Sequence, residues 1–302
     1  MPTRAAEDDQ FGGLRRQTAV ISPARQTLRR FLRHRMAVIG LVVAAIVVLA
    51  AVLAPVVTRS AGPDVIDLRA RNEGPSAEHW LGTDRTGRDT FTRVVYAGRV
   101  SLSVGVAAVL ISVAIGTTLG AIAGFNGGLL DSVVMRITDV IMTFPAIVIL
   151  LTVAAITGPG ITQTVVILGL LNWPIPCRLV RAKLLSIREQ EFVLAARAMG
   201  ARRSRILISH ALPNALDVLI VYASLGIATA ILLEAGLSFL GLGVQPPTPS
   251  WGNMLNVARN VSVLEQYPWQ WLPAGIAIVI TVLSINFVGD GLRDALDPRT
   301  KL

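Results

Sequence analysis

The sequence predicts an all-α integral membrane protein of six transmembrane helices with both termini in the cytoplasm. Composition is the first reason. Of 302 residues, 53% are hydrophobic and 16% charged, with a mean hydropathy of +0.61, where a soluble domain carries about 25% charged residues. The second is that the apolar residues fall into separate stretches long enough to cross a bilayer. The third is the distribution of the basic residues. The net charge of +9 would suit nucleic acid only if it lined one polar face. Instead it clusters in segments alternating with apolar spans, as inner loops do.

Residues 1–35 form a cytoplasmic basic segment with eight arginines, ending in Arg29, Arg30, Arg33 and Arg35. The first span, 36–57, is about 33 Å long as a helix and follows this long leader, unlike a cleavable signal. Residues 58–98 carry six acids and six arginines, too long for a turn, and read as a small external element with a surface helix over 85–96. A five-helix core over 99–291 follows, with spans at 100–125, 133–156, 161–176, 218–233 and 271–288. An inner loop occupies 178–213, and a cytoplasmic tail occupies 292–302. On this layout 19 of the 28 basic residues lie inside and 7 outside, which sets the orientation. Trp251, Tyr267, Trp269 and Trp271 gather near one outer interface.

Several residues inside the spans stand out. Ser132, Arg136, Asp139 and Thr143 form a polar stripe on the third span, where Arg136 and Asp139 can pair. Pro145 should kink that span in its middle. Gly116, Gly120 and Gly124 make a small-residue face for close helix approach, read as packing within the chain. The stretch Trp173-Pro174-Ile175-Pro176 shortens and bends the fourth span and frees backbone groups, as a pore-lining bend would. Arg136, Asp139, Pro145, Trp173 and Pro174 are thus candidates for pathway or gating roles. Glu234 is placed at the outer interface, serving the glycine-rich turn after it. Cys177 is alone, and His34, His79 and His210 have no ligand spacing, so no metal site is expected.

The most informative segment is the inner loop from Glu189 to Pro213. Acids open a helix rich in good helix formers, Gly200 sits where a C-terminal cap belongs, and a second short helix should stop at Pro213. Ala195, Ala196 and Ala198 keep the first helix narrow enough for another protein's groove. The plainer reading is an amphipathic helix on anionic lipid.

Ala195-Ala196, Gly200 and Leu212-Pro213, in that spacing, resemble the cytoplasmic "EAA" loop of bacterial ABC importer permeases. Leu194 stands at that motif's glutamate position, with Glu191 one turn earlier. Leu81-Gly-Thr-Asp-Arg-Thr-Gly-Arg-Asp89 with Arg99-Val-Ser-Leu102, then Ser238 to Gly252, then Gly289 to Pro298, are similar to external and C-terminal segments of the dipeptide and oligopeptide permeases of the "C" type, a family that includes nickel and glutathione permeases. The resemblance implies a type I ABC importer permease fold in the bacterial cytoplasmic (inner) membrane and a coupling loop with Glu191, Ala195, Ala196, Gly200, His210, Leu212 and Pro213 at its contacts. It implies as partners a second homologous permease, two ATP-binding subunits and an extracytoplasmic substrate-binding protein. The cargo implied is di- or oligopeptide, with nickel or another small solute as the alternative. A proton-coupled carrier using Asp139 would need inverted repeats and several midplane acids, and neither is evident.

The chain itself is not read as an enzyme. Neither Lys183 nor Lys301 follows a glycine, as a phosphate-cradling loop requires, and no nucleophile elbow or zinc-protease motif occurs. ATP and magnesium are therefore expected on partner subunits, with no cofactor on this chain.

Overall fold

A computed structural model describes residues 23–58 and 62–296, and among these every regular element is helical. α1 (Pro23–Arg33) leads into α2 (Arg35–Val52), capped by the His34 ring, which accepts from Ala37 N. The run stops at Leu53, short of residue 57, and a separate turn α3 (Ala54–Val57) follows. Residues 1–22 and 297–302, parts of the expected terminal segments, lie outside the described residues.

α4 (Thr90–Asn126) is the longest helix, at 37 residues. No separate surface helix covers 85–96. Asp89 instead caps α4 by accepting from Thr92 N at 2.8 Å, so the helix starts at Thr90 and runs unbroken into the membrane. α5 (Gly128–Thr143) and α6 (Ala146–Thr157) follow, bent by 86° at Phe144–Pro145. Pro145 thus breaks the third span rather than kinking it. Then come α7 (Ile161–Asn172) and α8 (Pro174–Ile187).

The fourth span was expected to end at Pro176, but 161–187 crosses as one helix of 27 residues. Trp173 holds helical angles, φ −64° and ψ −22°, so the helical path continues across the break between α7 and α8 with Pro174 at the first position of α8. α9 (Glu191–Ala198) and α10 (Arg203–Ile206) form the inner loop. α11 (Leu216–Phe239), α12 (Trp251–Leu255), α13 (Val261–Gln266) and α14 (Leu272–Leu296) complete the chain. Among the described residues five helices are long and apolar enough to span a membrane, or six if the bent α5–α6 pair is one span.

The bundle is built on α4. Its glycine face lies on α8 so closely that a methyl group at Gly116 would come within 2.7 Å of the Trp173 carbonyl, and one at Gly124 within 2.9 Å of the Arg181 carbonyl. The face is internal packing, as the spacing suggested. Trp173 and Pro174 are buried here, and Pro174 also lines the cavity at the α5–α6 break.

Residues 62–89, expected outside, are irregular and tied down by hydrogen bonds. Thr83 exchanges bonds with Glu73, accepting from Glu73 N and donating its own N–H to the Glu73 carbonyl, each at 2.9 Å. Trp269 Nε1 donates to Thr83 O at 3.3 Å, and Gln270 Nε2 to Asn72 Oδ1 at 2.8 Å, fixing the element to the start of α14. Asp84 accepts from Thr86 N (2.7 Å), Thr86 Oγ1 (2.6 Å) and Arg88 Nε (2.7 Å). Burial pushes the Asp84 carboxyl up, but these donors and the Arg88 charge outweigh it and hold the group below its ordinary value.

At the same end, Glu234 is fully buried among protein atoms. It accepts from Ser101 Oγ at 3.0 Å and Ser238 Oγ at 2.7 Å, and those hydroxyls accept from Trp251 N and Val244 N in turn. The carboxyl thus joins α4, α11 and α12, and through Ser238 it serves the turn after α11. Trp251 is likewise buried at 2% exposure, its Nε1 donating to Val94 O, so it is a core residue and not part of an aromatic belt.

Candidate coupling element and membrane groove

α9 opens after Gln190, which has extended angles, with Glu191 in its first turn. It ends in a Schellman motif. Gly200, at φ +77°, donates to Arg197 O at 3.0 Å, and Ala201 N donates to Ala196 O at 3.1 Å. The chain then turns into α10, but the helical path does not stop at Pro213. Leu207–Ala211 widens into a π turn with Leu212 N bonded to Leu207 O at 2.8 Å, and Pro213–Ala215 forms a 3-10 turn leading directly into α11. Pro213 begins a new turn, where its missing N–H costs little.

The inner loop therefore hangs between two membrane helices, continuous with α11 and one short turn from α8. Val193, Ala196, Ile206 and Ala211 face inward and pack with Val180, Leu184, Ile187 and Leu219. The opposite side is apolar and open. Phe192, Leu194 and Ile208 are exposed, and Met199 is 82% exposed. A surface concavity of about 540 Å³ lined by Gly200, Arg202, Ser204, Arg205 and Ile208 lies beside them. Of the residues singled out in the sequence, Glu191, Ala195, Gly200, His210 and Pro213 are exposed, Leu212 is half-buried and Ala196 is buried. Ala196 belongs to the inner packing, so a partner would meet Ala195.

The gating candidates are placed differently from expectation. Arg136 and Asp139 do not pair. Asp139 bonds Arg178 on α8, since the longer reach from the neighbouring helix brings a guanidinium to the carboxylate. Sequence reasoning missed three interhelical ion pairs. Asp131 binds Arg181 through both Nε and Nη2 (the latter at 2.6 Å), Asp139 binds Arg178, and Lys183 Nζ meets Asp217 Oδ2 at 2.7 Å. The basic residues of 178–183 had been counted as loop, and only their placement on a helix reveals these partners.

Three adjoining cavities lie along the bundle. One of about 220 Å³ lies at the α5–α6 break and includes Phe144, Asn172 and Pro174. The next, about 110 Å³, includes Ser112, Asn172 and Tyr222. The third, about 420 Å³, includes Tyr222, Asp217 and Arg293. Neighbours share Asn172 or Tyr222, so a groove crosses α5–α8, α11 and α14. Tyr222 Oη donates to the Asn172 carbonyl at 3.2 Å and lies 3.1 Å from Ser112 Oγ. Among the described residues no group of three His, Cys, Asp or Glu side chains is placed to hold a metal ion.

The described residues thus form a helical bundle of five or six candidate spans with an apolar, capped helical hairpin projecting from one end. The chain belongs to the family of binding-protein-dependent transport system inner membrane components, whose pattern it matches over residues 116–302. Residues 22–75 match the N-terminal transmembrane domain of oligopeptide transport permease C. A candidate peptide permease protein of Brucella suis biovar 1 is 52% identical, covering 94% of both chains. The dipeptide transport system permease protein DppC of Alkalihalophilus pseudofirmus is 44% identical over 94% of this chain and 93% of its own. The glutathione transport system permease protein GsiD of Pectobacterium atrosepticum is 41% identical over 95% and 94%. The fold is thus the type I permease fold, and the chain is a multi-pass inner-membrane permease rather than a catalytic subunit.

Proposed function

We propose that the chain is the permease subunit of an ATP-driven importer of di- and oligopeptides, forming half of the translocation pathway and coupled to a separate ATPase through residues 189–213. The observation that carries this is the projecting α9–α10 hairpin. Its inner side is locked into the bundle by Val193, Ala196 and Ile206, while Phe192, Leu194, Ala195 and Met199 stay open. An exposed apolar ridge on a rigid mount suits a groove in another protein better than water. Glu191, Gly200, His210, Leu212 and Pro213 set the shape and edges of that contact.

One such hairpin engages one ATPase, so a full machine takes a second homologous permease, two ATP-binding subunits carrying ATP and magnesium, and an extracytoplasmic substrate-binding protein. Both termini of this chain face the cytoplasm in this reading. The names of the relatives favour peptide as cargo, and glutathione is itself a small peptide. The residues of the groove, with Pro145 at its bend, form the pathway wall.

The test is uptake of labelled peptide into vesicles holding the complete complex, comparing the native chain with Gly200→Arg. Gly200 has a positive φ and open space around it, so the substitution strains the cap by about 1 kcal/mol and puts a bulky cation on the docking face. Uptake and ATPase stimulation should both fall while the complex still assembles. Uptake that proceeds without ATP and follows a proton gradient would refute the reading.

A further inference from the structure

Among the helices of the candidate spans, α5 buries the fewest residues. Of its 16 residues only Thr138 is buried, whereas α4 buries residues along its whole length. Leu129, Leu130, Val133, Ile137 and Val140 all point outward. Both ends of α5 are joints. At the first, Gly127 and Gly128 have φ of +69° and +61°, which glycine adopts without steric cost. At the second, the chain turns by 86° at Phe144–Pro145. A helix with so little apolar anchorage between two joints is held in place by something else.

α5 lies along α4, and two ion pairs add a hold that leads to one other helix, α8. Asp131 receives the Arg181 guanidinium through two nitrogens, and Asp139 receives Arg178. α8 is itself seated on the glycine face of α4 and leads, one short turn later, into α9. The two latches are unequal. Asp131 and Arg181 are 17% and 30% exposed, while Asp139 and Arg178 are 52% and 44% exposed. The inner pair is bidentate and better shielded, the geometry in which an ion pair holds most firmly, whereas the outer pair makes a single hydrogen bond and is more exposed.

We propose that Asp131–Arg181, assisted by Asp139–Arg178, is the latch that makes α5 follow α8, passing movement of the α9–α10 hairpin to the bend in the third span. Asp131 and Arg181 are positioning residues. They touch neither nucleotide nor cargo, and they act by keeping α5 in step with the hairpin. The inference rests on the importer reading above. With the latch broken, the hairpin and α8 still cycle with ATP hydrolysis, but α5 no longer follows and transport is lost from the cycle.

The experiment measures peptide taken up per ATP hydrolysed by the complete complex in vesicles, for the native chain, Asp131→Asn, Arg181→Gln, Asp139→Asn and the swap Asp131→Arg with Arg181→Asp. Peptide per ATP should fall about tenfold in the first two variants and less than about threefold in Asp139→Asn, within the range by which coupling residues act. The swap should return it to within about threefold of native. A latch that merely holds the fold would lower uptake and hydrolysis together at an unchanged ratio, and that result overturns the proposal. If the single variants fail to assemble, the swap decides: an assembled swap with a native ratio supports the latch, and one with a lost ratio overturns it. A native complex that takes up no peptide with ATP would instead sink the importer reading.

Discussion

Pro176 has no N–H to donate to the carbonyl of Asn172, four residues earlier, where an ordinary residue would close the helix. The structure fills that gap from another helix, because Tyr222 Oη on α11 donates to Asn172 O at 3.2 Å. Tyr222→Phe therefore leaves one carbonyl unpaired in the middle of a span. The Ser112 hydroxyl, 3.1 Å from the phenol, can turn to a carbonyl of its own helix and loses little. An orphaned buried acceptor costs about 1–3 kcal/mol, and interhelical bonds in membranes sit toward the low end, at roughly 0.6–1.7 kcal/mol. A loss of about 1.5 kcal/mol is expected. Pro176→Ala restores the missing N–H, so in that background the same Tyr222→Phe should cost about 0.5 kcal/mol or less. The interaction of about 1 kcal/mol is what a double-mutant cycle reads. Reversible unfolding of the purified chain in mixed micelles, followed by helix signal across four variants, measures it. Equal costs of Tyr222→Phe in both backgrounds would show that the phenol does not serve the proline gap.

Glu234→Ala removes the acceptor of two buried hydroxyls and should destabilise by about 2–4 kcal/mol, against about 1 kcal/mol for Glu234→Gln, which keeps one acceptor; thermal unfolding in detergent distinguishes them. Gly120→Val drives methyl groups into α8, where a first carbon already meets Val180 Cβ at 3.0 Å and, closer still, the Cys177 carbonyl. About 3 kcal/mol of overpacking follows, read as loss of monodisperse protein on gel filtration. Asp84 titrates below its ordinary value of 3.8, so its support of the external element is fully present above about pH 4 and fades as pH falls through the lowered value. Protease nicking of 67–93 should rise in that window, and Asp84→Asn should be nicked at neutral pH as well.

Local pattern carried much of this fold. The apolar runs located the spans, and Gly200 located the cap of α9, because both signals are complete within a few residues of sequence. Features that depend on a second helix were hidden. Glu234 was read from its distance along the helix, which says nothing of the Ser101 and Ser238 hydroxyls that enclose it. Trp251 was read as an amphipathic ring, yet Gly98 leaves room for its indole, a methyl there lying 3.1 Å from Trp251 Cζ2. Asp139 was matched to Arg136 on its own helix because spacing offers no other partner, whereas the structure brings up Arg178 from 39 residues away.

The same limit bears on orientation. Three of the basic residues counted as inner loop, Arg178, Arg181 and Lys183, lie within α8, and each meets an aspartate. Had the bias depended on net charge, these pairs would erase part of it; it depends on Lys and Arg themselves, with Asp contributing little. The fold adds what a loop-by-loop count lacked. Phe31 of α1 packs with Ala37 and Ala295 near the end of α14, and His34 faces Asp294 at 3.6 Å. One cavity joins the end of α14 to the start of α11 through Arg293 and Asp217. The start of α11 in turn packs with the α9–α10 hairpin through Leu219. The arginines of α1 and those of 188–205 therefore gather at one end of the bundle, opposite an external element whose arginines are balanced by acids. Two separated basic segments on one pole are a stronger basis for a cytoplasmic hairpin than either segment read alone.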